Sequence, residues 1–198
     1  MDRVFVLIAN RAVTAPFNLN DLPGSAGRMD IVCRFISQSL FVSHGIRKNV
    51  TTYVILKGPP DPVKSIRVEG TQVRYLAPDE RNIAGMINKA LKSDVGKEWT
   101  RVSPGIFISS KELDDVLKEI SARNIYYLKE TGKDIGNVEI SKPVFVIGDH
   151  LGVSEEDEKS VLAMSEDVIS LGETAYQADQ CVTVLNYILD RREHDRSM

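Results

Sequence analysis

The sequence predicts an α/β domain: a sheet with helices on both faces. Two observations carry this. Short apolar, β-rich runs recur at residues 4–9, 50–56, 105–109, 125–128, 144–147 and 168–171. Stretches with helical spacing of apolar residues lie between them, and strand and helix alternate in the later part of the chain. The chain has 198 residues, 42% hydrophobic and 27% charged. That composition is globular, and no repeat, low-complexity tract or linker divides it, so residues 1–198 are read as one domain.

The first strand, VFVLIA, is apolar throughout, as a strand buried on both faces would be. A loop with Pro16, Pro23, Gly24 and Gly27 leads to a helix over 28–43, on which Met29, Val32, Phe35, Ile36 and Leu40 form one stripe. The strand VTTYVIL stops at Gly58-Pro59-Pro60-Asp61-Pro62. Residues 66–68 and 73–76 read as short strands or a hairpin around Gly70. Pro78-Asp79-Glu80-Arg81 opens a helix to about residue 91, with acidic groups suited to its positive end. Ser110 is expected to cap a helix over 111–123, and Ser154 one with Glu155, Glu156 and Asp157 in its first turn. A last helix is expected over 174–191. It is apolar on more than one face, which points to packing on the sheet and on a second subunit.

Charge is unevenly placed. Residues 1–100 hold 14 Lys and Arg against 9 Asp and Glu, whereas residues 101–198 hold 11 against 19. A polyanion would therefore bind the N-terminal half. No apolar run approaches the roughly 20 residues of a membrane span, and the N-terminus lacks the features of a signal peptide. A cytoplasmic protein with no membrane partner is expected. Cys33 and Cys181 stand far apart, the three histidines are scattered, and nothing favours a metal.

The common nucleotide motifs GxGxxG and GxxxxGK[ST] are missing, as is the GxSxG elbow. Instead, three late strands end in candidate binding loops, at Leu128, at Gly148-Asp149-His150-Leu151-Gly152 and at Leu171-Gly172-Glu173-Thr174-Ala175. Ligands of open α/β sheets collect at that edge, and glycines there let main-chain groups approach an adenine. A second constellation is Arg28 and Asp30 at a helix start. Arg28 suits a phosphate, and Asp30 is either a helix cap or an acceptor for a substrate proton or hydrogen bond. His150 has no evident partner nucleophile and ranks low.

Five segments in order, PGSAGRMDIVCR (23–34), GPPDP (58–62), PDER (78–81), VFVIGDHLG (144–152) and SLGETAYQADQC (170–181), resemble the archaeal tRNA pseudouridine-54 N1-methyltransferases of the SPOUT class. The resemblance implies a C-terminal trefoil knot, an exception to the usual rule against knots. It also implies S-adenosyl-L-methionine as cofactor, a homodimer, and pseudouridine 54 of the tRNA T-loop as substrate. By position it assigns the cofactor to Leu128, Gly148, Leu171, Gly172 and Cys181. The Arg28-x-Asp30 element resembles that of ribosomal-RNA pseudouridine N1-methyltransferases as well. A ribosomal-RNA enzyme and a non-catalytic RNA-binding SPOUT module are therefore the alternatives, with an adenine-nucleotide sensor a third.

Overall fold

A computed structural model describes residues 1–197. Its centre is an eight-stranded sheet. β1 (Arg3–Ala9) is the middle strand, parallel to β4 (Val50–Leu56) on one side and to β9 (Pro143–Gly148) on the other. All seven residues of β1 are buried, which is what its unbroken apolar run required. Beyond β9 lie β8 (Asn124–Asp134) and then β10 (Ser165–Ser170), both parallel to it. Beyond β4 the sheet turns antiparallel through β5 (Lys64–Glu69), β7 (Ile106–Ser109) and β6 (Thr100–Ser103).

Helices cover both faces, as expected. One core gathers side chains of α1 (Met29–Leu40), α2 (Glu80–Leu91) and α5 (Ala178–Ser197) against Phe5, Leu7 and Phe145. The other gathers α3 (Leu113–Glu119) and α4 (Glu155–Met164) against Val4, Val6 and Val146. The alternation of β1 side chains between the two cores follows from the two-residue period of a strand. Among the described residues no helix is long and apolar enough to cross a membrane.

Several local expectations change. α1 ends at Leu40, where Phe41 adopts an extended backbone, and a two-strand ribbon, β2 (Phe41–Val42) and β3 (Gly45–Ile46), takes up residues placed in the helix by periodicity. Residues 73–76 are not a strand. Val73 and Leu76 are buried as anchors of an irregular loop. Ser110 is not the cap of α3: Glu112 fills that position in a reciprocal capping box with Asp115. Ser154 does cap α4, its hydroxyl accepting from the Asp157 amide at 3.2 Å. β6 went unread because TRVS is polar and lies at the exposed sheet edge.

α5 begins four residues later than expected and is largely buried within this chain. Val182, Leu185 and Leu189 are fully inaccessible, packed towards α1 and the sheet. Asn186 of the same helix accepts from Arg3 at 3.1 Å, and Asp190 pairs with Arg3 at 2.9 Å and Arg47 at 2.7 Å. The end of the chain is thus tied to the start of β1. Arg3, inside a strand of apolar neighbours, is fully buried only because α5 supplies these partners.

Candidate active site

The parallel strands β8, β9 and β10 end on the same side, and their loops surround a cavity of about 310 Å³. That lies at the lower end of the roughly 300–1,000 Å³ typical of small-molecule sites. Leu128, Gly148, Leu171, Gly172 and Cys181, the five residues singled out in the sequence, all line it. They come from strand β8, the end of strand β9, the loop after β10 and the first turn of α5, so the packing of α5 on the sheet brings them together.

Each loop is shaped by a specific local device. After β9 the chain folds back on itself, and a Cβ at Gly148 would stand 2.5 Å from the Gly152 carbonyl carbon. Gly148 is therefore a glycine for the sake of its own turn. The Asp149 carboxylate holds that turn, accepting from the Leu151 amide at 2.9 Å, the Asn10 amide at 2.7 Å and the Asn10 side chain at 2.8 Å. Asn10 follows β1 and also donates to the Gly152 carbonyl at 2.9 Å. After β10 the Ser170 hydroxyl accepts from the Gly172 amide and donates to the Gly172 carbonyl, each at 3.0 Å. Gly172 has φ +112°, a conformation that only glycine adopts without strain, and open space beside it.

The cavity has two chemically different parts. Leu128, Ile147, Leu151, Val153 and Leu171 supply apolar walls beside main-chain groups. Lys129, Glu130 and Glu158 supply charge. The Glu158 carboxyl is held below its ordinary range, first by the hydrogen bond from Lys129 at 2.5 Å and then by Tyr127, so it is ionised at neutral pH. Burial pushes the Tyr127 hydroxyl up, and the neighbouring Glu158 charge adds to this. Burial likewise pushes the Cys181 thiol up to about 11. The protonated thiol donates to the Tyr176 carbonyl at 3.7 Å, so Cys181 shapes the loop and is no nucleophile at neutral pH.

Arg28 and Asp30 form a second cluster. Gly27 and Arg28 are both left-handed, with φ +64° and +65°, and this sharp bend delivers Arg28 to the start of α1. Asp30 is not a cap: the position before the helix is Arg28 itself, which makes no capping bond. Instead Asp30, 6% exposed, takes a two-pronged hydrogen bond from Arg28, Nε to Oδ1 and Nη2 to Oδ2, each at 3.0 Å. Arg34 Nη1 adds a third contact to Oδ2 at 3.0 Å. Burial pushes the Asp30 carboxyl up, but the two guanidinium groups together outweigh it and hold it below its ordinary value. The hydrogen bond to Asp30 holds Arg28 in its charged form, with a smaller contribution from the charge of Asp149. His150 lies 3.8 Å from Asp149 and joins no catalytic arrangement.

The family model for SAM-dependent RNA methyltransferases matches residues 2–194. The chain belongs to that family. It is 44% identical to a tRNA (pseudouridine(54)-N(1))-methyltransferase of Methanosarcina acetivorans over 98% of this chain and 93% of that protein. A protein of the same description from Methanocaldococcus jannaschii is 40% identical over 96% of this chain and 97% of its own length. In fold the chain is similar to Archaeoglobus fulgidus Nep1, solved bound to S-adenosylhomocysteine. The TM-score is 0.65 over the whole of both chains, at 16% identity.

Sequence reading missed Asn10, Asp149 as a turn-holder, Lys129, Glu130 and Glu158. Lys129 and Glu130 directly follow Leu128, and Glu158 lies one helical turn beyond Ser154. Their adjacency to the recognised loops was the available signal. Asn10 had none, because its role depends on β1 lying beside β9.

Proposed function

We propose that this chain is the cytoplasmic enzyme that transfers a methyl group from S-adenosylmethionine to N1 of pseudouridine 54 in the tRNA T-loop. One observation carries the reading. A chain alignable almost end to end with enzymes so named closes three strand-end loops around a cavity of the right chemistry. The apolar walls and glycine main chain suit an adenine, and the charges of Lys129, Glu130 and Glu158 suit an amino-acid end bearing both a carboxylate and an ammonium. When bound there, the cofactor supplies an electrophilic methyl on a sulfonium.

Pseudouridine is joined to its sugar through carbon, so its N1 carries a hydrogen, whereas in uridine N1 holds the sugar. In this reading Asp30 faces that N1 edge. Three of the roughly four acceptor positions of its carboxylate are taken by Arg28 and Arg34, which leaves one for the ring. A carboxyl held low by two guanidinium groups is a weak base. Its role is to accept the N1–H hydrogen bond and fix the ring, the proton that N1 gives up passing to solvent water, with positioning as the main contribution to the rate. Arg28 would steady a neighbouring phosphate or carbonyl. The target base has to leave its stack to reach such a site.

The same reading assigns the C-terminal segment a trefoil knot and the enzyme a homodimer. The first rests on the order of the family-like segments in the sequence. In support of the second, α5 shows Tyr187, 62% exposed, between the half-buried Val184 and Ile188. The deciding experiment is nucleoside mass spectrometry of T-arm RNA after incubation with cofactor. N1-methylpseudouridine is the expected product, and its absence from an RNA carrying pseudouridine at position 54 refutes the assignment.

A further inference from the structure

We infer that Tyr75 is a base-stacking platform for the RNA substrate, flanked by phosphate contacts at Arg74 and Arg81; this rests on the RNA-methyltransferase reading above. Tyr75 is 82% exposed, more than any other exposed large hydrophobic side chain among the described residues. Its backbone has φ +63°, a conformation rare for a bulky residue. The loop is held so from both sides. Val73 is buried, its amide donating to the Glu69 carbonyl at 2.9 Å and its backbone pressed against Gly105, while Leu76 is buried against Ile36 and Ile83. Two apolar anchors three residues apart thus turn the ring between them into solvent. Strain of this kind persists where surrounding packing imposes it, and it gathers at binding sites.

The surroundings favour RNA as the occupant. Arg74 and Arg81 are both exposed, one immediately before Tyr75 in the chain and one six residues after it, in the half of the chain with excess positive charge. Arg81 Nη1 donates to Asn20 at 3.0 Å, and the Pro78 carbonyl accepts from Ser37 at 2.9 Å, so the loop sits against α1 and the turn before it. An unbroken ion-pair run, Asp30 to Arg34 at 3.0 Å and Arg34 to Glu80 at 3.2 Å, leads from the proposed base site to the start of α2 beside this loop. An exposed ring on a segment that also carries exposed arginines offers a nucleobase a stacking face and its phosphates cations. Tyr75 would hold a base next to, not in, the methylated position.

The test compares the full chain with its Tyr75→Leu, Tyr75→Phe and Tyr75→Gly variants, measuring fluorescence anisotropy of labelled T-arm RNA and calorimetry with S-adenosylhomocysteine. Tyr75→Leu should weaken RNA binding by roughly 5- to 150-fold, the range of one base–aromatic stack. Tyr75→Phe should stay within about twofold, because the π face is kept. Tyr75→Gly relieves the backbone and should still lose RNA affinity, with a melting temperature no lower than wild type. Cofactor affinity should be unchanged in all three. In a companion measurement, Arg74→Gln should reduce the slope of log affinity against log salt by about 0.7–0.9. Unchanged RNA affinity in Tyr75→Leu overturns the platform, and so does an equal loss in Tyr75→Phe, which would assign the effect to the hydroxyl. A wild-type chain that methylates the T-arm alongside an unimpaired Tyr75→Leu sinks only the platform. A wild-type chain that binds no T-arm RNA sinks both readings.

Discussion

Asp30 sits between two arginines, and that environment sets both its chemistry and its contribution to stability. Its folded-state pKa lies below the ordinary 3.8, so the ion pairs stabilise the fold above that pH. The contribution is lost as pH falls through the folded-state value. Asp30→Asn should therefore flatten the acid side of the stability–pH profile measured by urea unfolding. At neutral pH it should cost about 1–3 kcal/mol, because Arg28 and Arg34 lose a charged acceptor at a buried position. This is more than the loss of a helix cap would predict, so activity has to be compared well below the melting temperature. Under those conditions single-turnover methyl transfer should fall by roughly 10² or more with cofactor affinity retained. Joint loss of cofactor and RNA affinity would reduce Asp30 to a structural role.

At the scale of elements, the turn after β9 behaves differently from its first reading. Gly148 looked like the point at which a ligand approaches the main chain. The structure instead gives its space to Gly152. Gly148→Ala should force the turn apart, at a cost typical of overpacking, about 1–3 kcal/mol, and should lower thermal stability and cofactor affinity together. A variant with wild-type melting temperature and selectively lost cofactor binding would restore the ligand-approach reading. α5 requires a similar revision. Leu185, a natural choice for probing an interface, is fully buried inside the chain. Leu185→Asp should unfold the protein and report nothing about assembly. Tyr187 is the residue to change, and Tyr187→Asp should move light-scattering mass from dimer to monomer while the circular dichroism spectrum stays unchanged. An intact dimer would place the interface elsewhere.

For the whole molecule, the cavity and the excess of positive charge fall in different halves of the chain. The cavity draws its lining residues from 127 onward, and Arg28, Asp30, Arg34 and the Tyr75 loop all belong to the more basic first hundred residues. Binding of T-arm RNA should weaken steeply with salt, whereas cofactor binding should respond far less. Two T-arms that differ only at position 54 should separate cleanly in activity: the pseudouridine form is methylated, and the uridine form, with N1 occupied by its sugar, is not. Equal transfer to both would mean that another atom is the acceptor.

The sequence by itself determined most of the strands and helices, the sheet with helices on both faces, and the three strand ends that carry the cavity. Those follow from periodicity and from glycine and proline placement, which are local properties. Motif order added the family. Tertiary structure alone decided which groups face one another. Asn10 meets Asp149 because β1 and β9 are neighbours, and Arg3 is buried because α5 returns to cover it. Asp30 reads locally as a cap or a substrate acceptor, and the fold shows Arg28 and Arg34 claiming most of its carboxylate. The hydrophobicity of α5 looked like surplus for a partner, yet most of it is spent inside the chain. Side-chain partners, and the space left beside a glycine, depend on residues far away in sequence. A linear pattern holds the propensity of each group to be buried or paired, and only the fold supplies what it is buried against.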